Sequence, residues 1–109
     1  MITQAQIEAV KDKIVKEFDP EKIVLFGSYA YGEPNESSDL DLLVVNGSSI
    51  ENKVITKNIR QVFLKRNFAM DLLVCNPAQI EEAKKENLSL INQITSKGKV
   101  LYEKEYKYS

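Results

Sequence analysis

The 109-residue sequence contains no histidine, one cysteine, three prolines and four glycines. Without histidine there is no Ser-His-Asp or Cys-His catalysis and no His-ligated zinc, so metal chemistry is left to oxygen ligands. The lone Cys75 cannot close an internal disulfide, which suits a reducing compartment, and a cytoplasmic location is expected. No apolar run is long enough to span a membrane and no signal peptide is read, so no membrane partner is expected. Neither sign of charge dominates: 15 basic residues face 16 acidic ones, for a net charge of −1. That balance lacks the basic footprint of a nucleic-acid binder, and no direct nucleic-acid partner is expected. The length allows one core and a single domain over 1–109, with a polar, tyrosine-bearing tail at about 103–109. It leaves little chain to wall off a deep pocket for two substrates.

What is present is well punctuated. Thr3 with Gln6 reads as a capping box, and Ile7, Val10, Ile14, Val15 and Phe18 follow at helical spacing. The pattern predicts a helix over 4–18, stopped by Asp19-Pro20. Lys22 to Phe26, Asp39 to Val45 and Phe68 to Cys75 read as strands, the first ended by Gly27 and the second by Asn46-Gly47. Ser48 with Glu51 reads as a second capping box, opening a helix that runs to about Lys65. Asn76 caps a further helical stretch with Pro77 at its first position. That stretch covers 78–96, breaks near Asn87 and ends at Gly98. Val100 to Tyr102 is the candidate last strand. The order predicts an α/β (α+β) domain, with a small mixed sheet of three to four strands packed on helices on one face.

The stretch "VLFGSYAYGEPNESSDLDLLVV" sets two aspartates one residue apart in an apolar run. In a strand, residues two apart share a face, so Asp39 and Asp41 point one way while Leu40, Leu42 and Val44 point the other. If the second and third strands pair, Asp71 of "FAMDLLVC" joins the same face. Three carboxylates together repel one another and raise their own pKa values unless a cation sits among them. An all-oxygen set suits Mg²⁺, or Mn²⁺ in its place. Two ions about 4 Å apart would activate an attacking oxygen and stabilise a leaving pyrophosphate. Gly27-Ser28 follows the first strand and precedes Tyr29-Ala30-Tyr31, which starts a short helix. Its N–H groups and the Ser28 hydroxyl suit a triphosphate. It is neither a Walker loop nor a dinucleotide fingerprint, because the Gly-Lys-Ser/Thr and the glycine spacing are missing.

Gly27-Ser28, ten residues and then Asp39-Leu40-Asp41 resemble the nucleotidyltransferases of the DNA polymerase β-like superfamily, and the size resembles its minimal nucleotidyltransferase group. Gly32, Ser38 and Asp71 also stand where the family pattern has them. The resemblance implies a polymerase β-like fold and a Mg²⁺-dependent transfer of a nucleoside monophosphate, AMP from ATP. It implies that Asp39 and Asp41 bind both metals and that Asp71 binds the catalytic one and helps deprotonate the acceptor. Gly27 and Ser28, with Gly32 and Ser38 beside them, then hold the nucleotide. Many members carry Arg where this chain has Tyr31, so that phosphate contact is not carried over. The family also implies a partner: HEPN-domain toxins, which some minimal nucleotidyltransferases adenylylate in toxin–antitoxin pairs. Two alternatives stay open. One is a non-catalytic nucleotide-binding or antitoxin subunit acting by occlusion. The other is a small-molecule nucleotidyltransferase whose cleft is completed by a homo-oligomer.

Overall fold

Leu40, Leu42 and Val44 are fully buried, and so are Leu43 and, nearly, Val45. A strand buried on both sides must lie between two layers, which is why "LLVV" runs unbroken. The computed structural model describes residues 1–86 and 89–105. Its elements are α1 (Gln4–Phe18), β1 (Lys22–Phe26), α2 (Ser28–Tyr31), β2 (Leu40–Val45), α3 (Asn52–Val62), β3 (Met70–Cys75), α4 (Pro77–Lys84), α5 (Leu90–Lys97) and β4 (Lys99–Glu103). The strands form one sheet in the order β3-β2-β1-β4. β1 is antiparallel to both β2 and β4, whereas β2 and β3 run parallel. The expected mixed sheet is thus present with four strands.

Strand parity sorts the apolar side chains into two clusters. On the first face Ile23, Leu25, Leu40, Leu42, Val44, Met70 and Leu72 pack against Ile7, Val10 and Ile14 of α1 and Ile55 and Ile59 of α3. On the second, Val24, Leu43, Val45 and Cys75 pack under Ile94 of α5, with Ile80 of α4 at the margin. Helices therefore reach both faces, and the second is only partly covered. Burial pushes the Cys75 thiol up to about 11, consistent with an inert core cysteine.

Local chemistry sets the element ends. Thr3 and Gln6 form the reciprocal capping box, and Asp19 closes α1 in the left-handed conformation at φ 45°. Asn76 and Gln79 form a second box ahead of Pro77. The box expected between Ser48 and Glu51 does not form, and α3 starts at Asn52 with no side-chain cap. Ser48 is diverted: its hydroxyl donates to Asn46 Oδ1 at 2.7 Å and its N–H to the same oxygen at 3.0 Å. Asn46 is the buried polar residue at the end of β2, 5% exposed. Its amide also donates to Ile50 O at 2.7 Å and to Asn52 Oδ1 at 3.1 Å. Asn52 in turn donates to Gln79 Oε1 at 2.9 Å, joining α3 to α4. Asn46→Ala leaves these groups unpartnered and is expected to cost about 2 kcal/mol in chemical denaturation. A loss below about 0.5 kcal/mol would show that water replaces the amide. The expected break at Asn87 lies outside the described residues, although α4 ends at Lys84 and α5 begins at Leu90. Tyr106 and Tyr108 of the tail also lie outside them.

Candidate active site

Asp41 follows the parity of Leu43 and Val45, so it lies on the second face of the sheet. The parallel register places Asp71 of β3 directly beside it. Neighbouring strands lie about 4.8 Å apart, so the two carboxylates stand side by side. Asp39 immediately precedes β2, and its charge acts on Asp41. Helices α4 and α5 cover the ends of β2 and β3 at Val45 and Cys75, leaving the carboxylates at the uncovered ends. Asp39 and Asp71 are exposed, and Asp41 is partly buried.

The wall beside Asp41 is Gly27. β1 and β2 pair Phe26 with Asp41, so the turn leaving β1 passes over the Asp41 side chain. Gly27 has φ +74° and ψ −158°, a conformation open essentially only to glycine. A Cβ placed there would lie 2.9 Å from Asp41 Cγ and would collide with Oδ2. The glycine thus lets the backbone approach the carboxylate closely. The N–H groups of Ala30 and Tyr31 both donate to Gly27 O, at 3.0 and 3.2 Å. The first-turn N–H groups of Ser28 and Tyr29 then have no intrahelical acceptor.

Burial first, then the charges of Asp71 and Asp39, push the Asp41 carboxyl up from 3.8 to about 6. A carboxyl whose folded pKa is raised favours the fold when protonated. Its contribution is fully present below about pH 3.8 and is lost as pH rises through about 6. In chelator, wild type is therefore expected to lose stability between about pH 4 and 6 relative to Asp41→Asn. Thermal melts of the pair across that range check it, and a flat difference would refute the charge pressure at Asp41.

The three carboxylates offer oxygen donors of the kind a hard divalent cation takes, and among the described residues no hydrogen-bond donor holds the charge of the raised Asp41 carboxyl. Among the described residues no three acidic or other ligating side chains are gathered closely enough to hold an ion as they stand. A cation held there would require the exposed Asp39 and Asp71 side chains to turn toward Asp41.

The remaining candidates lie around this core. Gly32 caps α2, its N–H donating to Ser28 O at 3.0 Å. Ser38 clasps its own loop: its hydroxyl accepts from Asn35 N at 2.9 Å and its N–H donates to Asn35 O at 3.1 Å. Tyr31 is 61% exposed and points away from the core. Sequence reasoning missed a cavity of about 310 Å³ beside Ser38, lined by Ile2, Tyr29, Asn67 and Phe68 among others. Tyr29 builds its wall by accepting the Ile2 N–H on its hydroxyl at 3.0 Å. No local signal in the sequence ties residues 27 positions apart.

The family model for polymerase beta nucleotidyltransferases matches residues 8–107. A Methanocaldococcus jannaschii protein named "Putative protein adenylyltransferase MJ0604" is 34% identical over 83 residues, covering 74% of this chain and 77% of that protein. The fold is similar to that of a toxin–antitoxin crystal structure with AMP-PNP, at a TM-score of 0.60, 22% identity and coverage of 90% of this chain and 74% of that one. It is also similar to a toxin–antitoxin MntA–HpeT mutant, at a TM-score of 0.59, 21% identity and the same coverage, 90% and 74%. A match over nearly the whole length, on a fold that sets the Asp-x-Asp strand beside the Gly-Ser turn, places this chain in the polymerase beta nucleotidyltransferase family.

Proposed function

We propose that this chain is a Mg²⁺-dependent protein adenylyltransferase that moves AMP from ATP to a hydroxyl on a partner protein, with a HEPN-type toxin as the acceptor. The observation that carries the reading is the meeting of Asp41, Asp71 and the Gly27 turn at the uncovered end of one sheet face. The 34%-identical relative named as a protein adenylyltransferase supports the reaction class, and the toxin–antitoxin neighbour with AMP-PNP supports the nucleotide and the kind of partner.

Asp39 and Asp41 would hold divalent metal, with Asp71 completing the set. A metal held by these residues would offset the carboxylate repulsion and would polarise the phosphates. The Ser28 and Tyr29 N–H groups and the Ser28 hydroxyl orient the β- and γ-phosphates. Ser38 stays in the loop that positions Asp39. Asp71 accepts the proton of the acceptor hydroxyl as its oxygen attacks the α-phosphorus. The P–O bond to the β-phosphate breaks, and pyrophosphate leaves with its electron pair. The open face cannot by itself orient a small second substrate, and orientation supplies much of the rate in such transfers. A protein acceptor brings its own wall.

The test is incubation of purified chain, Mg²⁺ and α-labelled ATP with a purified HEPN-type toxin. Label on the toxin and a mass gain of one nucleotidyl group are expected, both lost in Asp71→Asn. Toxin inhibition without any mass gain, undiminished in Asp71→Asn, would replace catalysis by occlusion.

A further inference from the structure

We propose that the groove between α1 and α3 docks an acidic amphipathic helix of the acceptor protein. The proposal rests on the protein-acceptor reading above. The groove has a volume of about 320 Å³ and an apolar floor of Ala9, Val10, Val62, Phe63 and Phe68. Its charged lining residues are Lys13, Lys65 and Arg66, and no acid lines it. Among the described residues six lysines are matched with carboxylates, while others outside the groove, such as Lys16 and Lys57, are not. The groove lysines, both exposed, form no ion pair among the described residues. Arg66 donates from Nη1 to Phe63 O at 3.0 Å, while its buried Nε has no acceptor among the described residues. A local excess of unmatched cations in a chain of net charge −1 selects a carboxylate-bearing occupant. An apolar floor between two helices, rimmed by one sign of charge, suits a helix with an apolar stripe flanked by acids.

The groove also leads somewhere. Gln6 and Phe68 line both it and the cavity beside Ser38, the residue before Asp39. The groove lies on the α1–α3 face of the sheet, opposite the face of Asp41, and joins that cavity at the end of the sheet where β2 begins. Docking and chemistry occupy separate residues and can be disabled separately.

The test uses the full chain and two fluorescein-labelled synthetic helices. One carries leucine at heptad positions a and d and glutamate elsewhere; in the other, lysine replaces glutamate. The glutamate helix is expected to bind in fluorescence anisotropy and the lysine helix not to bind. The affinity falls with added salt. Lys13→Glu with Lys65→Glu is expected to weaken binding at least about tenfold, and the Gln pair less. Asp41→Asn binds the helix as wild type does. Failure of both helices to bind, equal binding of both, or unchanged affinity in the Glu pair would overturn the proposal. So would sedimentation showing a wild-type dimer that the Glu pair dissociates, because a second copy then fills the groove. Charge-dependent docking without nucleotidyl transfer removes the transferase reading and leaves the docking site. Transfer with an unaltered KM for the acceptor in the Glu pair removes the docking site and leaves the transferase.

Discussion

Asp41→Asn is expected to abolish nucleotidyl transfer while raising the melting temperature. The loss should be at least about 100-fold, since the change removes a carboxylate oxygen that the proposed mechanism gives to the metal. The gain in stability comes from the same charge. Burial and two neighbouring carboxylates hold the Asp41 carboxyl at about 6, so at neutral pH the fold carries an unfavourable anion. Two pKa units correspond to about 3 kcal/mol at full strength, and solvent screening of a partly exposed group reduces that to about 1 kcal/mol. In a domain of this size about 1 kcal/mol moves the melting temperature by about 4–8 °C. Calorimetry at pH 7.5 in chelator measures this shift. A variant that melts at or below wild type would show that the Asp41 charge is already neutralised. One that still transfers would show that Asp41 is dispensable.

Gly27→Ala should be costly in both respects. A non-glycine residue at φ +74° and ψ −158° costs about 1–3 kcal/mol. The new methyl would also stand 2.9 Å from Asp41 Cγ and 3.3 Å from its Cβ, so one of the two elements must shift. A destabilisation of about 2 kcal/mol or more is expected, with transfer largely lost. Backbone strain and the clash can be separated by a double-mutant cycle with Asp41→Ala. Part of the cost should disappear when the carboxylate is absent. If Gly27→Ala costs the same in both backgrounds, strain alone explains it and the approach to Asp41 has no energetic role.

Much of this site is legible in the sequence because its signals are local. The bounds of α1 and β1 follow from Thr3, Asp19-Pro20 and Gly27, each acting within a few residues. The face of Asp41, opposite to that of Leu40 and Leu42, follows from a period of two. Asp71 is different: joining it to Asp41 requires the parallel register of β2 and β3, which side-chain pattern alone does not specify. The cover over Cys75 and Val45 is hidden for the same reason, since Ile94 arrives from α5 far along the chain. Ser48 misleads because it has the right residue type for a cap, but buried Asn46 competes for its hydroxyl. The α1–α3 groove depends on where two helices come to rest and leaves no motif.

The sheet order also governs how the chain can be made. β1 is synthesised first among the strands yet lies inside the sheet, between β2 and β4. On the ribosome, pairing with β2 can begin once Leu40–Val45 has emerged. The other side of β1 waits for Lys99–Glu103, the last strand to appear among the described residues. During that interval the nascent chain presents Ile23, Val24 and Leu25 along a bare amide edge, open to any neighbouring strand. A stalled or truncated nascent chain therefore keeps an adhesive border that the released one closes over.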